Sequence, residues 1–250
     1  MISRKKPLLF AHRGASGYEH ENTMVSFQRA IDLGADGLET DVFEIATGEL
    51  IIYHDSAIAL PGASQNTPIA KLTNQDLAKI ILPNGEHIPL LEDFLSKFSR
   101  AKSKQGNPIE FSIDIQNSKA GPSIAKKVVE FGLQDRAVLC STTPSIVFKK
   151  IRMEFPDVRL VASNCETMIS IESCSDTDKL GSLNIYAYNF QKGHLTKHIY
   201  DLLKTMKKKI FMWDLHEDNV LHDAILEFEL DAVYSNYPDR ARRIIDEIFQ

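Results

Sequence analysis

Cysteine is scarce in this chain, and its arrangement argues against two roles. Only three of 250 residues are cysteine: Cys140, Cys165 and Cys174. An odd number without short metal-ligand spacing speaks against a disulfide framework and against a thiolate metal site, and it fits a reducing compartment. Long apolar runs are also missing. None approaches the roughly 20 residues that a membrane-spanning helix needs. Residues 1–6 are basic, but the apolar run over 7–11 is too short for a secretory signal. A cytoplasmic protein without stable membrane insertion is the expectation. Positive charge is not in excess: 29 Lys and Arg face 34 Asp and Glu, a net charge of −5, which gives no reason to expect nucleic acid or an anionic membrane as partner. A second cationic run, Lys207 to Lys209, ends a helix, where cations suit the macrodipole. No Gly-rich dinucleotide turn, low-complexity tract or linker is present. Hydrophobic residues at 43% and charged ones at 25% are ordinary for a globular chain, and this length allows one or two domains.

What is present concentrates between His12 and Asp55. This stretch reads A-H-R-G-A-S-G-Y-E-H-E-N-T, then L-E-T-D-V-F-E, then L-I-I-Y-H-D. Residues 8–11 form a short apolar run of buried-strand character, with His12, Arg13 and Gly14 directly behind it. Asn22 is placed to cap a helix whose apolar positions are Met24, Phe27, Ala30 and Ile31, and Gly34 is its stop. Residues 38–42 read as a second strand, where period two sets Glu39 and Asp41 on one face. A parallel crossover needs about a dozen residues, and residues 45–50 offer only a turn. Residues 42–45 and 50–53 should therefore form a hairpin. Folding the chain about Thr47 and Gly48 returns His54 to the side of Asp41 and Glu39. His12 joins them if the first two strands are parallel neighbours.

Residues 56–67 read as an exposed loop. Thr73 caps a short helix to residue 80, and residues 89–100 form an amphipathic helix with Leu91, Phe94, Leu95 and Phe98 on one side. Residues 109–116 alternate as a strand. Phe111, Ile113 and Ile115 make its apolar face; Glu110, Ser112, Asp114 and Gln116 make its polar face. Helix is then expected over 121–131, 144–155, 166–173, 196–207, 219–229 and from 239 to the end. Strands are expected over 137–141, 159–163, 184–189, 210–215 and 232–235. Setting aside the hairpin arm leaves eight strands alternating with helices. That pattern predicts an α/β protein: a (β/α)8 TIM barrel with a hairpin extension after the second strand, as a single domain over residues 1–250. A doubly wound open sheet competes, but it would need a topological switch point. In such a barrel the chemistry sits at the C-terminal ends of the strands. His12, Glu39, Asp41 and Asp114 fall there, and the hairpin delivers His54.

A lone Glu-x-Asp at a strand end is usually a surface pair. With two histidines folded against it, Glu39 and Asp41 read as oxygen ligands for a hard cation. Arg13 offers a fork suited to phosphate oxygens, or a rim salt bridge to Glu39 or Glu21. Trp213 walls a pocket or simply packs in the barrel. His20, His87, His194, His198, His216 and His222 read as surface or structural.

H-R-G, E-N-T, E-x-D and H-D, in this order and spacing, resemble the glycerophosphodiester phosphodiesterase family. The resemblance extends through I-P-L-L-E-D at 88–93, Trp213 and S-N-Y-P at 235–238. It implies a phosphoric diester hydrolase of lipid and glycerol metabolism, using one divalent cation, Mg²⁺ or Ca²⁺. Its small-molecule glycerophosphodiester substrate would be cleaved to sn-glycerol 3-phosphate and an alcohol. By resemblance His12 and His54 are the catalytic acid–base pair, with their roles unassigned. Glu39, Asp41 and Asp114 hold the metal, and Arg13, Gln116 and Trp213 bind substrate. The family has E-x-K where this chain has Asp114-Ile115-Gln116. The rival third ligand, Glu110, would lie about 13 Å nearer the start of the strand. Residues 56–67 lack the family's R-T-T pattern. A phospholipase-D-like enzyme acting on lysophospholipid or sphingolipid headgroups stays open as an alternative. So does a degenerate barrel that only binds a phosphorylated ligand.

Overall fold

Period-two alternation sets the strands of this protein, and apolar stripes of helical period set the segments between them. The computed structural model describes residues 4–163 and 183–250. In chain order, β1 (Leu8–Ala11) leads through α1 (Met24–Asp32) to β2 (Gly37–Glu44). β3 (Leu50–Ile52) doubles back, and β4 (Ala57–Ala59) and β5 (Asn66–Pro68) follow. A 3-10 turn (Ile69–Lys71), α2 (Asn74–Leu77) and α3 (Leu91–Phe98) lead to β6 (Glu110–Ile115). Strand and helix then alternate through α4 (Ala120–Glu130), β7 (Ala137–Ser141), α5 (Pro144–Glu154) and β8 (Arg159–Ser163). The chain continues with β9 (Ala187–Gln191), α6 (Lys197–Thr205), β10 (Lys209–Trp213), α7 (Asp218–Glu227), β11 (Ala232–Ser235) and α8 (Pro238–Ile248).

Eight of these strands run parallel in the order β1-β11-β10-β9-β8-β7-β6-β2, and β1 pairs with β2 to close the ring. The expected (β/α)8 barrel is therefore present. Closure removes every free edge except where β3 lies antiparallel on the outer end of β2, with Val42 opposite Ile52. Gly48, at φ +97°, makes the turn between them. The hydrogen bond from Tyr53 N to Asp41 O (3.0 Å) continues the hairpin and sets His54 beside the strand end.

Alternation sends one set of side chains outward and the other inward. Leu9, Leu38, Phe111, Ile113, Leu139, Leu160, Phe190, Ile210 and Val233 pack under the helices. Phe10, Val138, Cys140, Val161, Ala187, Phe211, Ala232 and Tyr234 fill the barrel interior. The apolar face of β6 thus points to the helices, and its polar face lines the barrel. Each fully buried Leu or Phe contributes roughly 1.5–3 kcal/mol, so the outer layer carries most of the burial. Phe27, Phe94 and Phe98 interlock with ring centroids 4.6–6.1 Å apart, and Phe94 meets Phe111 at 5.7 Å. That cluster seats α1 and α3 against β6 and so holds the start of α1 over the barrel mouth.

Several boundaries differ from expectation. The cap of α1 is Thr23, whose side chain accepts from Ser26 N. Asn22, at φ +56°, is freed for another task. The segment 56–67 is not a plain loop. β4 and β5 pair within it, though Ala-Ile-Ala and Asn-Thr-Pro carry too little alternation to announce a strand. α2 ends at Leu77 rather than near 80, although Thr73 does cap it through a reciprocal box with Asp76. β9 begins at Ala187, because residues 184–186 belong to its approach. The helix expected over 166–173 lies outside the described residues. Among the described residues no helix is long and apolar enough to cross a membrane.

Candidate active site

The interior side chains change from apolar to polar at the C-terminal rim. Above Phe10, Val161, Ala187 and Phe211 stand His12, Ser163, Asn189 and Trp213, each two residues further along its strand direction. They wall a cavity of ≈210 Å³ that also contains Arg13, Glu39, Asp41, His54, Asp114, Gln116, Thr142 and Tyr234. All eight side chains singled out by sequence open on this one cavity. A larger groove, ≈420 Å³, lies between the β2–β3 turn and α4, but no cluster of acids and histidines converges there.

Glu39 and Asp41 sit two residues apart on β2, and the parallel register puts Asp114 of β6 directly beside Asp41. One oxygen from each of the three carboxylates lies within 4.8 Å of the others. Glu110 is one full strand length below, beside Gly37, where it faces Arg159 at 3.9 Å. Geometry therefore groups Asp114, not Glu110, with Glu39 and Asp41.

The three acids are crowded and almost dry. Burial, then Asp41 and Asp114, drives the Glu39 carboxyl well above its ordinary range, although Arg13 opposes the shift. Burial also raises Asp41 against the pull of Arg13 and the Asn22 hydrogen bond. Burial followed by the Asp41 charge pushes Asp114 up to about 7. Three carboxylates held this close cannot all ionise beside a single arginine, so the cluster calls for further positive charge. Hard, all-oxygen donors suit a divalent cation, and the triad could hold one.

Neighbouring groups orient each acid. Asn22 Nδ2 donates to Asp41 Oδ2 (2.9 Å), while its carbonyl accepts from Thr40 Oγ1 (3.0 Å). Gln116 Nε2 donates to Asp41 Oδ1. Arg13 N donates to Glu39 Oε2 (2.8 Å). Arg13 and Gly14 turn back with φ of +55° and +79°. A Cβ at Gly14 would come within 2.3 Å of Ser26 Oγ and 2.7 Å of its backbone, so only glycine lets this loop press on α1.

The Arg13 guanidinium reaches Glu21 through Nη1 (2.9 Å) and stands 3.3 Å from Asp41 through Nε. That Nε–H is misaligned and makes no hydrogen bond. The rim salt bridge and a position on the cavity wall are thus both realised. Among the described residues lining the cavity, Arg13 alone carries a permanent positive charge.

His12 Nδ1 lies 2.8 Å from Asn236 Oδ1, an acceptor, so Nδ1 carries the proton and Nε2 is left bare. Nε2 is 3.9 Å from Glu39 Oε2. Burial first, and then Arg13, lowers the His12 pKa to about 3, so the ring is neutral. His54 is more open, with its Nδ1 held 3.0 Å from Asp55 Oδ1.

Two groups at this rim were not singled out as site residues by the sequence. Asn236 lay within a matched motif, but nothing in the pattern pointed it at His12. His216, read as surface or structural, stacks on His12 at 5.6 Å and accepts from Asn236 N through Nδ1 (3.2 Å). Its Nε2 lies 3.4 Å from Asp214. Burial lowers its pKa, an effect that Asp214 partly offsets. Ser163 and Asn189 could have been found as polar residues at inward-facing strand positions, once the inward phase was known.

Comparisons with known proteins agree with this fold. The sequence pattern of the Glycerophosphoryl diester phosphodiesterase family matches residues 12–240. A glycerophosphodiester phosphodiesterase of Bacillus altitudinis is 27% identical over 253 residues, spanning 96% of this chain and 98% of its own. The crystal structure of a glycerophosphodiester phosphodiesterase from Parabacteroides distasonis superposes with a TM-score of 0.77, at 21% identity, over 99% of this chain and 100% of its own. An Oleispira antarctica phosphodiesterase, solved in complex with the product sn-glycerol-3-phosphate, gives 0.75 at 20% identity, over 96% and 97%. At those identities the two structures speak for the fold, and the sequence match speaks for the family. The chain belongs to the glycerophosphoryl diester phosphodiesterase family and is a phosphoric diester hydrolase.

Proposed function

We propose that residues 1–250 act as one barrel domain that hydrolyses glycerophosphodiesters to sn-glycerol 3-phosphate and an alcohol. The observation that carries this reading is the meeting of His12, His54 and the Glu39–Asp41–Asp114 triad on one cavity. A divalent cation, Mg²⁺ or Ca²⁺, held by those three carboxylates would neutralise the phosphodiester and polarise its phosphoryl oxygen. The chain's own groups supply the rest. Arg13 has its Nη2 unclaimed among the described residues and meets a phosphate oxygen with it. His12, its Nδ1 proton held by Asn236, takes a proton at Nε2 from the attacking hydroxyl. That hydroxyl is the glycerol 2-hydroxyl, which gives a cyclic phosphate opened later by water. His54, turned by Asp55, gives a proton to the departing alcohol oxygen as its P–O bond breaks. Gln116 orients Asp41, and Trp213 walls the glycerol side.

The deciding experiment is release of glycerol 3-phosphate from glycerophosphocholine, with Mg²⁺ or Ca²⁺ and then with excess chelator. Turnover that the chelator abolishes is expected. A barrel that binds substrate without turnover under any metal would refute the reading. One observation favours a second reading, a phospholipase-D-like action on lysophospholipid. Ile58, Pro61, Ile80, Ile81 and Leu82 line an apolar groove of ≈280 Å³ next to Tyr53, and Ile81 is 57% exposed. Faster release of choline from lysophosphatidylcholine than from glycerophosphocholine would establish it.

A further inference from the structure

Asn189 is a costly residue with no structural reason to be where it is. It faces the barrel interior from the middle of β9, two residues before the strand's rim end at Gln191, and is 5% exposed. One layer below, the equivalent positions are Val161, Ala187 and Phe211, so the packing there is apolar. Its Nδ2 reaches Ser163 Oγ, its register partner on β8, at 3.5 Å. Its Oδ1 is fully buried and has no hydrogen-bond partner among the described residues. A buried acceptor left unmade costs stability, and an apolar residue of the same shape would avoid that cost. Both Asn189 and Ser163 line the cavity of the active site.

Position adds a direction. Around the ring, β9 stands four strands from β2, on the opposite side. A phosphodiester held at Glu39, Asp41 and Asp114 would extend one arm across the mouth toward Asn189, Ser163 and Trp213. The group that satisfies a bare amide oxygen there must donate a hydrogen bond. In a glycerol 3-phosphoryl arm the 2-hydroxyl stays near phosphorus, and the terminal hydroxyl is the donor that reaches further.

We infer that Asn189, braced by Ser163, accepts a hydrogen bond from the free terminal hydroxyl of the glycerol arm and is a specificity-determining residue. The inference rests on the glycerophosphodiester reading and deepens it. An acyl group on that hydroxyl removes the donor, so the same contact disfavours lysophospholipids. Sites that hydrogen-bond a substrate hydroxyl reject analogues lacking it strongly, because the buried partner is then left bare.

The test compares glycerophosphocholine with its analogue in which the terminal CH₂OH is CH₃. Both keep the phosphodiester and the 2-hydroxyl. In the wild-type protein kcat/KM should fall by about 10²-fold or more on the analogue. In Asn189→Leu, which keeps the shape and removes the acceptor, the two substrates should come within about threefold of each other. Asn189→Ala reads the same ratio should the leucine variant not fold. A wild-type protein that does not distinguish the substrates overturns the inference, as does a variant that keeps the wild-type ratio. Absence of glycerol phosphate release from glycerophosphocholine itself overturns the glycerophosphodiester reading and this one with it. Turnover without discrimination overturns only the role of Asn189.

Discussion

Gln116 occupies the position where the family pattern has lysine, and the structure shows what a neutral residue does there. Asp41 receives two amide donors, Asn22 on Oδ2 and Gln116 on Oδ1. In Gln116→Ala the second donor is lost while Asn22 remains. A hydrogen bond to a charged group contributes about 1.5–3 kcal/mol, which corresponds to a loss of roughly 10- to 150-fold in kcat/KM if Asp41 must stay ionised and aligned. Gln116→Lys has two opposed effects. The ammonium would face Asp41, an attraction of about 4 kcal/mol at 4 Å in an effective dielectric near 20, and would repel a divalent cation at the triad about twice as strongly at the same separation. In return it places a second positive side chain beside Arg13, where charge builds on the phosphoryl oxygens. One preorganised donor of that kind is worth roughly 10²–10³ in rate. With metal saturating, Gln116→Lys should raise kcat/KM on glycerophosphocholine at least about tenfold. The assay is glycerol phosphate release across a metal titration, so that affinity and rate are read separately. If metal stays bound and the lysine brings no gain, or if the alanine variant keeps wild-type turnover, Gln116 is not acting through Asp41 and the E-x-K alignment is wrong.

Three further outcomes follow from the same geometry. His12→Ala and His54→Ala should each lower kcat by roughly 10²-fold or more with little change in the unfolding midpoint, and the double variant should lose less than the product of the two; near wild-type turnover in either removes that histidine from the mechanism. Asp41→Asn should weaken metal binding strongly in a calorimetric titration, while Glu110→Gln, at the far end of β6, should leave the affinity alone; the reverse order would move the site. Metal at about 100 times its Kd should stabilise the fold by about 2.7 kcal/mol, raising Tm by roughly 5–10 °C, and chelator should reverse the shift; an unmoved Tm would mean that Glu39, Asp41 and Asp114 do not hold the ion.

Some of this protein could be read without coordinates because the relevant physics is local. Alternation over 109–116 fixed the phase of β6 and put Asp114 and Gln116 on one face. The six residues over 45–50 are too few for a parallel crossover, and that alone returned His54 to Asp41, as the Tyr53–Asp41 hydrogen bond bears out. Eight strand–helix alternations pointed to a parallel barrel, and the missing Gly-rich dinucleotide turn spoke against the doubly wound open sheet that would also bury both faces. The strands Ala57–Ala59 and Asn66–Pro68 left no trace in the sequence because three residues each are too few for any period to show.

Folding decided the rest, because it depends on partners far apart in sequence. Whether Asp114 or Glu110 joins the triad turns on the register between β2 and β6, which no single strand encodes. Asn22 looks like a helix cap until Thr23 takes that task and the β2 carboxylate arrives beside it. The tautomer of His12 is set by Asn236, 224 residues away, when β11 closes on β1. His216 and Asn189 acquire meaning the same way. Each is an ordinary polar residue in its own segment, and only ring closure sets Asn189 on the common cavity and stacks His216 on His12.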